Sequence, residues 1–221
     1  MTIRPFHPRL DDLPRVLPIF PLSGALLLPD GKLPLNIFEP RYLALVQDSL
    51  AWGRIIGMVQ PVKATEDGSA EPVFDTGCAG RISSFSETED GRLLITLTGI
   101  CRFRIVEELE SARGYRRVIA NWEVFRQDLE PALEVAIDRP RLMAALKKFV
   151  KLHNLDINWK AIESASDLAL TVSLAMACPF EPPEKQALLE SVDAAQRAAT
   201  LITLMEMAVA GQKGAGRTLR Q

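Results

Sequence analysis

Glu39 and Arg41 flank Pro40 in the run Phe38-Glu-Pro-Arg-Tyr42. A carboxylate placed just before a proline-started helix can meet unpaired N–H groups. It can also pair with a cation on a facing sheet, with Arg102 as a candidate partner. On a second reading, Phe38, Arg41 and Tyr42 edge a peptide-binding surface. Arg102 and Arg104 alternate with Phe103. On a strand, that spacing puts both arginines on one face and the ring in the core. The arginine face is then either solvated or a further part of the same surface. The candidate peptide-binding residues are thus Phe38, Arg41, Tyr42, Arg102 and Arg104. Trp52, Trp122 and Trp159 are expected in the core, and an exposed one would mark a binding patch.

Catalytic sets are not assembled. A serine or cysteine hydrolase needs a base oriented by a third group. His7 and His153 are the only histidines, and only His153 could serve. It sits in Lys151-Leu-His153-Asn154, near the end of a helix, where a cation meets the helix dipole favourably. Cys78, Cys101 and Cys178 are odd in number, widely spaced and without a Cys-x-x-Cys. They read as small buried hydrophobes with free thiols, suited to a reducing cytoplasm. No ligand spacing for a metal occurs, and no cofactor is expected. A formal charge of −2 and the lack of a basic, aromatic-interleaved stretch argue against nucleic acid. The longest strongly apolar stretch, Leu168 to Ala177, is far short of the ~20 residues a membrane span requires.

Around these residues the chain organises in two parts. At 221 residues, with 48% hydrophobic and 24% charged, it can bury about 70% of its unfolded surface without a staple. Residues 1–14 hold three prolines and read as an amino-terminal arm. A β-rich part spans 15–126. Its strands are Val16 to Phe20, Lys32 to Phe38, Arg54 to Gln60, Thr76 to Thr88, Arg92 to Glu107 and Gly114 to Phe125. Glu89-Asp-Gly91 makes a hairpin turn, and Leu93, Ile95 and Leu97 face one way while Leu94, Thr96 and Thr98 face the other. Pro40 to Trp52 reads as a helix stopped at Gly53.

Past Gln127-Asp-Leu-Glu-Pro131, Ala, Leu, Glu and Lys take over. A helical bundle is expected over 132–210. One helix carries Leu142, Leu146, Phe149 and Val150; a second, capped by Ser164 or Ser166, runs to Ala177 with almost no polar face. A third starts at Pro183. The last is capped by Asp193 and Gln196 and ends near Ala210. Residues 211–221 read as a flexible, glycine-rich tail.

The run Leu17-Pro-Ile-Phe-Pro-Leu-Ser23, followed by Leu35-Asn-Ile-Phe-Glu-Pro-Arg-Tyr42, resembles the opening of the amino-terminal domain of Lon-type ATP-dependent proteases. Gly77-Cys-Ala-Gly-Arg-Ile-Ser83, Gly99-Ile-Cys-Arg-Phe-Arg104 and Pro183-Glu-Lys-Gln-Ala-Leu-Leu-Glu190 follow in the order of that family. The resemblance covers roughly residues 15 to 208. It implies an α+β fold, with a PUA-like open β-barrel subdomain followed by a carboxy-terminal helical bundle. It also implies a free-standing recognition module without the protease's motor or peptidase. The chain has no Gly-x-x-x-x-Gly-Lys-Ser/Thr loop; Gly31-Lys32 lies in a proline-bounded turn. The function expected is non-catalytic binding of unfolded or tagged protein segments, or of a protease or adaptor partner, in protein quality control. The alternatives are an RNA-binding PUA-like protein, which several arginines on one β face would favour, and an enzyme of unrecognised type, which a deep pocket with a perturbed carboxylate or thiol would favour.

Overall fold

The computed structural model describes residues 8–62, 71–130 and 136–218. The chain divides into two compact units. One comprises Met1–Ala132 and Pro179–Leu189, the other Leu133–Cys178 and Glu190–Gln221.

The first unit is built on six strands: β1 (Val16–Pro21), β2 (Lys32–Ile37), β3 (Ile55–Val59), β4 (Thr76–Glu87), β5 (Leu93–Ala112) and β6 (Tyr115–Asn121). They lie in the order β2-β5-β4-β3-β1-β6, and β6 pairs back onto β5. Five strands therefore close a ring, β5-β4-β3-β1-β6, and β2 hangs outside it on β5. The closure depends on the length of β5. Its first half pairs with β2, from Ile37↔Leu93 to Lys32↔Thr98. Its second half pairs with β6, from Arg104↔Asn121 to Ala112↔Tyr115. Register shifts at Ala79/Gly80 and Ile82/Ser84 of β4, and at Ile105/Glu107 of β5, bend the strands, as bulges do. The result is a ring of strands rather than a regular barrel. The alternation expected for β5 holds: Leu93, Ile95 and Leu97 are buried, and Leu94 is exposed.

Phe103 fills the centre of the ring with Leu17, Ile19, Val118 and Trp122. Gly57 and Gly77 make room for it; a Cβ at either would come within 2.8 Å of its ring. Gly99 does the same for backbone, since a Cβ there would stand 2.0 Å from the Leu28 carbonyl oxygen. The end of the expected arm joins this core. Residues Leu10–Asp12 form a 3-10 turn, Leu13 is buried, and the Trp122 indole donates to the Pro14 carbonyl.

Helix α1 (Pro40–Ala51) begins at its proline and buries Tyr42, Leu45, Val46 and Ser49, the spacing of one helical face. Trp52 caps its far end and is 84% exposed, which corrects the expectation of a core tryptophan. The face buried by α1 ends at Ser49, and Gly53 and Arg54 then turn the chain through positive φ.

In the second unit, α2 (Arg139–His153) buries Leu142, Leu146, Phe149 and Val150, as expected. It packs on α6 (Ala194–Thr218), where Leu201, Ile202 and Met205 are buried. Helix α4 (Asp167–Ala177) is capped by Ser166, which accepts from the Ala169 N–H. A short helix the sequence reading lacks, α3 (Trp159–Ser164), starts at Asn158, whose side chain accepts from the Ala161 N–H. Arg139 holds the α3–α4 junction by donating to the Ala165, Ile162 and Glu163 carbonyls and to the Asp167 carboxylate. Helix α6 continues to Thr218, past the tail expected from Gly211. Once nucleated, a helix adds one bond per residue, and Gln212, Lys213, Ala215 and Arg217 are good helix formers.

Helix α5 (Pro182–Glu190) is the main departure from the expected bundle of 132–210. Its segment Pro179–Leu189 belongs to the β unit. Three buried polar side chains tie it there. Lys185 donates to the Gly24 carbonyl. Gln186 donates to the Thr76 carbonyl at 3.1 Å. Gln60 donates to the Pro182 carbonyl at 3.2 Å.

Candidate functional site

A cleft of about 680 Å³ opens in the β unit. One wall is the end of β2 with the residue after it, Leu35 to Phe38. Another is the end of β1 and its following loop, Phe20 to Ser23. The start of α1 and the facing parts of β5 and β6 complete it, with Glu108, Ser111 and Arg116 at the lining.

Its floor is aromatic. The Tyr42 ring stacks on Phe20 at 4.0 Å between centroids, with 21° between planes. The Arg41 guanidinium covers Tyr42 at 4.6 Å. Burial raises the Tyr42 hydroxyl above its ordinary pKa of 10.0, with Glu39 adding to the shift and Arg41 opposing it; the phenol is neutral at physiological pH. Phe38 stands at the rim, 60% exposed, with Arg92 5.5 Å from its ring centroid. An exposed aromatic beside an apolar floor is a feature of binding surfaces.

The charges of the cleft are arranged unevenly. Arg116 is fully engaged: it makes two 2.6 Å bonds to the Glu108 carboxylate and donates to the Glu71 carbonyl. Arg41 pairs with Glu39 at 2.9 Å. The half-buried Glu71 carboxylate lines the cleft with no cation paired to it among the described residues. Among the described residues no histidine or cysteine lines the cleft, and Ser111 donates to the Tyr115 carbonyl, so these residues assemble no nucleophile–base pair there.

Of the sequence-predicted residues, Phe38, Arg41 and Tyr42 come together in this cleft. Arg102 does not, and this corrects the expectation of a solvated arginine face. Its side chain is 2% exposed and its guanidinium grips both oxygens of Asp128 at 2.8 Å. It also donates to the Leu189 carbonyl of α5 and lies 4.5 Å from the Phe125 ring centroid. Alternation placed it on the outer face of β5, but α5 and the 3-10 helix Glu123–Leu129 cover that face. Arg104 is exposed on β5, outside the cleft. Glu39 does not cap α1; its side chain accepts no hydrogen bond from the helix backbone and pairs with the Arg41 side chain, not with Arg102. Trp52 lies at the other end of α1, about 18 Å from Pro40 by helix rise.

Elsewhere, the three cysteines are buried. Burial pushes the Cys101 thiol up to about 12, with the Asp128 charge adding to the shift. Such a thiol is inert. Among the described residues no group of three or more His, Cys, Asp or Glu could hold a metal, and no helix is long and apolar enough to cross a membrane.

The family model of the ATP-dependent protease La (LON) substrate-binding domain matches residues 16–207. The chain belongs to this family. The Lon protease of Dictyoglomus thermophilum is 28% identical over 191 residues, and Lon protease 2 of Myxococcus xanthus 30% identical over 208. These alignments cover 84% and 88% of the chain but only 24% of each protease; the chain spans about a quarter of the length of the curated relatives it matches. The Lon N-terminal domain protein from Xanthomonas campestris has a similar structure, with a TM-score of 0.59 at 25% identity, covering 85% of this chain and 97% of that one. The N-terminal domain of the Mycobacterium avium complex Lon protease shares the fold, with a TM-score of 0.60 at 17% identity over 86% and 98% of the two chains. The Lon substrate-binding family thus accounts for the strand ring and the helices together. The runs quoted from Leu17 to Glu190 all fall inside the matched region.

Proposed function

We propose that this domain recognises exposed apolar segments of unfolded or tagged proteins in a proteolytic pathway of the cytoplasm. It does so without catalysing a reaction, in the manner of an adaptor. The observation that carries this reading is the cleft: an aromatic floor of Phe20 and Tyr42 with Phe38 exposed at its rim. Family membership supports it, since the family is defined by substrate binding. The RNA-binding alternative finds no support at the cleft, where three glutamates face two arginines already paired.

The test is binding to a permanently unfolded, carboxymethylated protein, to the same protein in its native form and to structured RNA. We expect weak binding to the unfolded form alone. Phe38→Ala should weaken it about tenfold, the loss of one aromatic anchor. Apolar burial is little affected by ionic screening, whereas phosphate contacts weaken steeply with salt. RNA binding with a steep salt slope, and none to unfolded protein, would overturn the proposal. ATP and peptide substrates should stay intact in the presence of the chain.

A further inference from the structure

Resting on the peptide-binding reading, the geometry points to the form of the occupant: an extended segment that adds to the free edge of β2 and carries a lysine or arginine opposite Glu71. The first observation is topological. β2 pairs with β5 and, among the described residues, with no other strand. Among the described residues no strand pairs with its remaining edge, and an unpaired edge is a template for another strand. Leu35, Asn36 and Ile37 all line the cleft. Successive side chains on a strand point to opposite faces, so three consecutive residues can share one cleft when it runs along the strand's edge. The paired edge is excluded, because Leu93 to Ile95, the β5 partners of these three residues, do not line it. A peptide lying there meets main-chain N–H and C=O groups, the mode of strand addition. Its side chains on one face reach the Phe20–Tyr42 floor.

The second observation is charge. Both cleft arginines are occupied, Arg116 by Glu108 and Arg41 by Glu39. Glu71 remains unpaired with any described cation. The described lining residues, three glutamates and two arginines, therefore present a net negative charge to the occupant, and a cation two or three residues from an apolar anchor complements it.

Fluorescently labelled nine-residue peptides that differ at one position (Lys, Gln or Glu) beside a shared Phe-Leu core test this on the full chain. Binding should fall in the order Lys, Gln, Glu, with Lys favoured over Gln by about two- to fivefold, the scale of one exposed charge pair. In Glu71→Gln the preference for Lys over Gln should vanish. N-methylation of alternate backbone amides should weaken the Lys peptide by at least about tenfold, through loss of main-chain bonds. Charge-blind binding, preference for Glu, or indifference to N-methylation would overturn this inference and leave the peptide-binding reading standing. Binding of none of the peptides would overturn both.

Discussion

Arg102 joins three parts of the β unit through one buried guanidinium. It neutralises Asp128, a carboxylate 8% exposed, and reaches the Leu189 carbonyl, 87 residues on in the chain. Removing one partner of a buried pair leaves the other charge uncompensated, at a cost of about 3–5 kcal/mol. Arg102→Ala should lose that much in urea denaturation. Arg102→Lys should recover little, because an ammonium cannot grip two carboxylate oxygens and a carbonyl in one plane. A loss under 1 kcal/mol in either variant would show the pair to be dispensable. Glu39 makes the contrast. Its pair with Arg41 is solvent-exposed on both sides, so Glu39→Ala should change stability by less than about 1 kcal/mol. Cys101 offers a chemical test of burial. With its thiol pushed up to about 12, it should resist a thiol-labelling reagent at pH 8 in the native chain and react once the chain is denatured. Rapid labelling of the native protein would contradict the packing around it.

At the scale of elements, the pair Arg141–Glu206 ties α2 to α6 with two bonds, at 2.9 and 2.7 Å. The hydrogen bond from Arg141 holds the Glu206 carboxyl below its ordinary pKa of 4.5. A carboxylate with a depressed folded pKa adds stability above the unfolded value and loses it as pH falls through the folded one. Glu206→Gln should therefore lower Tm at pH 7, and the gap from the parent should close well below pH 4.5. A gap that widens in acid would reverse the sign. The elements also show where local sequence stops being informative. The period-two pattern of Leu93 to Thr98 and the helical spacing of Leu142 to Val150 are legible because they record which face is buried. They do not record what buries it. Arg102 was legible as facing away from the core, but the cover comes from residues 123–129 and from α5. Likewise α5 reads as one more helix among helices. Its place is decided by Gln60, Thr76 and Gly24, partners 110 to 161 residues earlier, which no local periodicity reports. Within the cleft, Phe38, Arg41 and Tyr42 were legible because they sit in one short run; Glu71 and Arg116 were not, since only the strand pairing brings them there.

For the whole molecule, the path of the chain matters. It passes from the first unit to the second, returns for Pro179–Leu189, and leaves again. Unfolding of the β unit releases α5, whose last residue, Glu190, already belongs to the other unit. We expect one cooperative transition. Variants that keep a single tryptophan report on each unit: Trp122 is buried in the first and Trp159 half-buried in the second. Coincident denaturation midpoints are the expected result, and midpoints separated by more than their error would show two independent units.

The return of α5 to the β unit has a consequence for how the protein is made. During synthesis the strands of the ring leave the ribosome first, yet their last structural piece is still unwritten. The whole of 133–178 must be added before α5 appears. At about 5–20 residues per second, that is an interval of seconds. Until then, Asp128 and Arg102 have each other but no Leu189, and the Thr76 carbonyl and the Gln60 amide lack their α5 partners. For that time the groups that α5 will partner are without their cover, and a chaperone that shields unfinished proteins can engage the nascent chain there.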